Sequence, residues 1–394
     1  MDSDTVRIIG ELVARVEQAA ASEENQRRRA HWERYWAGTP SGQDPEGPLH
    51  TMDIGLSTYA RLLGFDIRRY YLDTAEQIRR SLEMRLWHFE HLDDESPIGA
   101  GIGINPIGCV LEPSMLGVPC EYPPDLEPWA LHDHVIVETE AELDALPMPD
   151  FRTSGAMPDA FRMYDEAQHL LERVGASHWH VGFPAPIRGI LGLAQALRGP
   201  HENIVWDMIE RPTFADKLMA WATEFRIWFA QERAKFLGEE IGLGHIGNDE
   251  VTVPYVSPKV YERFMLPWEI KLSEFHGGLS CWHSCGTTTP LLELIRRIPN
   301  VHQFYTGPWT DVDRVVKVFG AETPVMIAVN TVDDVMAATP EAMAAKVRWL
   351  AERCQTAALQ IRGGAMNAAF DLEHDVQQMI RWCRVTRETL AGRG

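Results

Sequence analysis

LSCWHSCGTTTPLLELIRRI (279–298) reads as one structural unit. An apolar, β-favouring run leads into a Gly-Thr turn, and a proline then opens a helix-patterned stretch. Successive side chains of an extended strand point to opposite faces. Cys281, His283 and Cys285 therefore share one face and Trp282 takes the other. The same order of strand, loop and helix recurs on both sides. HWHVGF (178–183) and GLGHIG (242–247) come before it, each followed by helical stretches. VHQFYTG (301–307), PVMIAVN (324–330) and AALQIRGG (357–364) come after it, with helices between them and a last helix over 372–390. Strands alternating with helices argue for a parallel sheet. No Gly-rich dinucleotide or phosphate loop follows any of these strands, so a closed (β/α)8 TIM barrel fits better than an open sheet.

Ahead of residue 95 the pattern differs. Residues 4–36 read as one helix, GTPSGQDPEGP (38–48) as a loop, and TAEQIRRSLEMRLWHFEHL (74–92) as a helix capped by Thr74. The expected division is an N-terminal helical extension over 1–95, packed on a barrel over 96–394. The Pro-rich stretch 105–128 reads as a lid or pocket wall.

Composition narrows the function classes. Lys plus Arg total 37 against 57 Asp plus Glu, a formal charge of −20. Such a surface repels phosphate backbones and anionic lipid, which argues against nucleic-acid and membrane partners. No apolar run approaches the roughly 18 residues that span a bilayer. The acidic start, MDSDTVRIIG, lacks the basic residues of a secretion signal, so the expected location is cytoplasmic. Six cysteines in so long a chain are too sparse for a disulfide scaffold.

Polar and reactive side chains collect where the strands end. His180 ends one; Asn248, Asp249 and Glu250 follow another; His283 with Cys285, Tyr305, Asn330 and Arg362 close those after it. In a (β/α)8 barrel that face holds the active site, although the same residues also fit plain exposed strand ends. Same-face neighbours on a strand lie about 6.5 Å apart. That is within reach of one ion whose bonds run about 2.0 Å to nitrogen and 2.3 Å to sulfur. Cys281, about 13 Å from Cys285 in a regular strand, is too far to join them. His283 and Cys285 are the candidate metal ligands, the alternative being two satisfied core residues. Asp249 and Glu250 point oppositely, and Asp249 is favoured for the pocket as an acid–base group, with His180 as its candidate catalytic partner. Arg188, after FPAP, suits a substrate carboxylate or an ordinary ion pair. Asn248, Tyr305 and Asn330 complete the candidate substrate-binding set.

His283-Ser284-Cys285-Gly286 resembles the H-x-C-G motif of the uroporphyrinogen decarboxylase superfamily, in its zinc- and cobalamin-linked methyltransferase branch. Three further stretches agree in order and spacing: GPHENIVWDMIERPTFADKLM (199–219), NDEVTVPYVSPKVYERFMLPW (248–268) and VNTVDDVMAATPEAM (329–343). The likeness covers roughly residues 130 to 390 and implies a (β/α)8 barrel. The Arg-rich "RQAGRY" type of motif of the decarboxylases of uroporphyrinogen is missing. The methyltransferase branch takes a third zinc ligand from a Gly-Cys stretch near the last strand, but IRGGAMNAAF (361–370) carries Gly364, Ala365 and Met366 instead. The remaining ligands would then come from Asp249 or Glu250, and from His180 or His245.

The resemblance implies a zinc-assisted methyl or alkyl transferase acting on a small substrate. No D-x-H-x-x-G cobalamin motif is present, so a methyl-corrinoid would arrive on a partner protein. The missing cysteine keeps a second reading open, a metal-assisted or cofactor-free lyase or decarboxylase using Asp249 and a histidine. A third is a non-catalytic small-molecule binding protein. The aromatic-rich RLWHFEHL (85–92) suits a homodimer contact as well as a core.

Overall fold

The computed structural model describes residues 3–320 and 322–392, leaving aside the side chains of 365 and 366. Eight strands follow one another around a barrel: β1 (Leu49–Ile54), β2 (Gly101–Gly103), β3 (His180–Gly182), β4 (Gly244–Gly247), β5 (Leu279–Ser284), β6 (Phe304–Thr306), β7 (Val325–Val329) and β8 (Leu359–Met366). Six of them form a continuous parallel sheet in which β1 pairs with β8 and the ladder runs on through β7, β6 and β5 to β4. β2 pairs in parallel with β3, and a bridge from Arg188 to Gly247 links the segment after β3 to β4.

The closure of β1 on β8 corrects the division at residue 95, because Leu49–Ile54 is part of the barrel wall. Its polar residues hid the strand. Thr51 faces inward and accepts from Gln360 at 2.8 Å, and Asp53 pairs with Arg362. The lead-in proper is two helices, Ser3–Ala20 and Glu23–Trp36, broken where the Ser22 hydroxyl accepts from Asn25 N at 3.2 Å. The helix Thr74–His91 is capped by Asp73, not Thr74, through Glu76 N at 3.1 Å.

Alternation along the strands separates two apolar regions. Ile246, Trp282, Phe304, Ile327 and Ile361 point outward into the main core beneath the helices. Ile102 and Val181 point outward against Ile9 and Leu12 of the first helix. Cys281, Tyr305 and Ala328 form a small cluster of their own on the inner face. Between β1 and β2 the wall is open. The edge of β1 is satisfied by the chain at 94–95: Met52 N donates to the buried Asp94 carboxylate at 2.9 Å, and Glu95 N donates to His50 O at 2.9 Å.

Candidate active site at the barrel mouth

The turn after β4 and the end of β5 bring Asp249, His283 and Cys285 together. His283 Nε2 lies 3.2 Å from Asp249 Oδ1 and 3.4 Å from Cys285 Sγ. The three donor atoms all lie within 4.8 Å of one another. The loop geometry is pinned from behind, since Cys285 N donates to Asp249 Oδ1 at 3.1 Å and Asn248 N donates to His283 O at 2.7 Å. Tyr305, in register with His283 on β6, lies flat against it, with ring centroids 3.9 Å apart and planes 8° from parallel. Its hydroxyl is 3.7 Å from Cys285 Sγ. Arg362 covers Tyr305 at 5.3 Å and anchors on Asp53.

Electrostatics follow from these contacts. Burial disfavours a charge on His283, but Asp249 and Cys285 outweigh it and raise its pKa to about 9. Burial would raise Asp249, yet His283 and the Cys285 amide hold it below the usual carboxylate range. His245, on the inner face of β4, is pushed down to about 4 by burial and by His283, so it is neutral. Cys281 is buried and its thiol is pushed up to about 12, which leaves it inert. The nitrogen–oxygen and nitrogen–sulfur distances are close to those of neighbouring ligands on one tetrahedral zinc, roughly 3.3–3.6 Å.

Other expected site residues are placed differently. Asn248 turns into the core, where its amide donates to the buried Glu269 at 2.7 Å; it does not face the mouth. Glu269 also accepts from Tyr261 at 2.6 Å and Trp282 at 2.8 Å. Arg188 is engaged by Glu250 at 3.0 Å and by Cys109 O at 3.3 Å. Asn330 caps the helical turn Thr331–Met336 by accepting from Val332 N at 2.9 Å and Asp333 N at 3.0 Å. His180 does not join Asp249; it lines a groove beside the open wall between β1 and β2. The sequence reading did not single out Asp53 or Glu269, whose importance lies in contacts with distant strands. A second grouping, His31, Glu46 and Glu95, lies at the opposite, N-terminal end of β1 and is already bound by Arg27, which salt-bridges both carboxylates.

The sequence pattern of the uroporphyrinogen decarboxylase (URO-D) family matches residues 99–362, and the chain belongs to that family. Its fold is similar to that of a methyltransferase from Methanosarcina mazei, with a TM-score of 0.64 at 13% identity, covering 92% of this chain and 98% of that one. No curated protein matches the chain in sequence. No helix among the described residues is long and apolar enough to cross a membrane.

Proposed function

We propose that the protein is a zinc-assisted methyl or alkyl transferase acting on a small substrate, with a methyl-corrinoid donor carried by a partner protein in the cytoplasm. The observation that carries this reading is the convergence of Asp249, His283 and Cys285 at the barrel mouth. Asp249 supplies the donor that the cysteine-free stretch after Gly364 lacks. Zinc bound there would hold a substrate thiol as thiolate, or polarise a substrate oxygen, at neutral pH. Tyr305 and Arg362 fix the imidazole plane from behind, and the Tyr305 hydroxyl is placed to donate to the Cys285 sulfur. Donating to that sulfur would temper its charge and favour work on a less thiophilic substrate.

A second reading has its own support. The Asp249–His283 pair is a carboxylate beside an imidazolium, which is the equipment of an acid–base lyase or decarboxylase. Metal content tests the transferase reading against a metal-free lyase, and a requirement for a methylated corrinoid separates it from a lyase that also holds metal. Elemental mass spectrometry of full-length protein grown with ample zinc should give about one zinc per chain, lost in Asp249→Asn, His283→Ala and Cys285→Ser alike. The loaded protein should then methylate a thiol probe from free methylcobalamin. A metal-free protein would end the transferase reading and leave the acid–base one.

A further inference from the structure

The groove of about 820 Å³ beside the open wall is not the mouth site: Asp249, His283, Cys285 and Tyr305 are not among its lining residues. Its volume falls in the range of small-molecule pockets. Two features of the sequence make it. The chain at 94–95 takes the edge of β1, so no ladder joins β1 to β2 among the described residues. The inward positions of β2 and of the end of β3 are glycines, Gly101, Gly103 and Gly182, where other strands carry side chains that fill the barrel. A Cβ placed on Gly103 would meet nothing within 4 Å.

The groove's charge runs against that of the molecule. In a chain of formal charge −20, no Asp or Glu among the described residues lines it. Its ionisable side chains are Arg85, His88 and His180, with Tyr59 beside them. His88 is held between the Tyr59 hydroxyl and the Asp94 carboxylate, at 3.0 Å from each. The His180 side chain has no hydrogen-bond or ion-pair partner among the described residues. Among the described residues Arg85 donates only to backbone carbonyls, those of Gly99 and Gly101, the latter at 2.6 Å. Among the described residues no carboxylate pairs with it, and burial lowers its pKa. A half-buried guanidinium without a counter-charge among the described residues, on a mostly apolar wall that includes Ile54, Met84, Phe89 and Ile102, is a place for an anion with an apolar body.

We infer that this groove binds a small organic acid, an aryl or alkyl carboxylate whose anionic end meets Arg85 and His180 and whose body lies on the apolar wall. Taking that acid as the substrate rests on the transferase reading; the binding itself does not. Binding is therefore measured in the His283→Ala/Cys285→Ser protein, which lacks the mouth ligands, and again in the unaltered chain. Calorimetric titration with a series from phenylacetate and 3-phenylpropionate to decanoate is set against the corresponding alcohols. The expected result is at least a tenfold preference for one or more of the acids over its alcohol in both proteins. Arg85→Gln should remove the preference, and Gly103→Leu, filling the open space, should abolish binding of acid and alcohol while the melting temperature is retained. If Arg85→Gln does not fold, Gly103→Leu still decides. No binding by any acid, equal binding of acid and alcohol, or unchanged binding in Gly103→Leu would overturn the inference. Acid binding without zinc at the mouth would leave the groove standing and the transferase reading fallen.

Discussion

Tyr305 lies face to face on His283, 3.9 Å away and nearly parallel, with Arg362 on its other side. The two rings are in-register neighbours on adjacent strands, so the stack is built into the sheet. It sets the direction in which Nε2 points, and groups that orient a metal ligand typically affect affinity about 10–100-fold. Tyr305→Leu should therefore weaken zinc binding by about tenfold or more, read by competition with a chromogenic chelator. Tyr305→Phe keeps the stack and loses only the 3.7 Å contact with Cys285 Sγ, and should lie much closer to the unaltered protein.

Cys285 has a support that its own neighbours in sequence do not reveal. A Cβ on Gly307 would stand 2.0 Å from the Cys285 carbonyl oxygen and 2.6 Å from its carbonyl carbon. Backbone cannot swing aside as a side-chain tip can, so Gly307→Ala must displace Cys285. The expected outcome is a protein with an unchanged circular dichroism spectrum, a lower melting temperature and several-fold less zinc. Gly364→Ala is the control, since its Cβ would meet the Tyr305 hydroxyl at an ordinary 3.4 Å and zinc content should hold.

Trp282 shows how one strand serves both the site and the core. It points away from His283, stacks on Phe304 at 5.5 Å, and gives its indole N–H to Glu269. Trp282→Phe would keep an aromatic ring there but leave a void and take one donor from a buried carboxylate. A loss of about 1–3 kcal/mol is expected from urea unfolding, with zinc content unaltered.

How far the sequence was legible follows from which of these relations are local. Strand alternation placed Cys281 inside, Trp282 outside and His283 beside Cys285, because a strand's period depends on the strand alone. The same rule separated Asp249 from Glu250, and the two do part, one to His283 and the other to Arg188. The strand β1 was missed because its partner Arg362 lies far along the chain, so Asp53 looks like a solvated loop carboxylate until the barrel closes. Asn248 and Asn330 look like pocket residues at strand ends, but one is taken by Glu269 and the other by the next helical turn. His180 was expected to end its strand, but it opens β3, which runs on to Gly182, and the strand pattern alone does not say where around the barrel it stands. It belongs to the groove and not to Asp249.

Glu269 is a fully buried carboxyl that accepts from Asn248, Tyr261 and Trp282. Burial raises its pKa above the ordinary value, and these three donors only partly offset the shift. A carboxyl whose folded pKa is raised contributes stability that is fully present below the unfolded pKa of about 4.3. That contribution is lost as pH rises through the folded value. Glu269→Gln has nearly the same shape and can keep the Tyr261 and Trp282 bonds. Its amide can also donate to the Asn248 side-chain oxygen, which is buried without a hydrogen-bond partner among the described residues. The variant should match the unaltered protein in acid and become relatively more stable as pH rises through the folded pKa of Glu269. Paired urea titrations across that range check the sign. A gap that closes as pH rises would mean that the three donors hold Glu269 as a stabilising carboxylate.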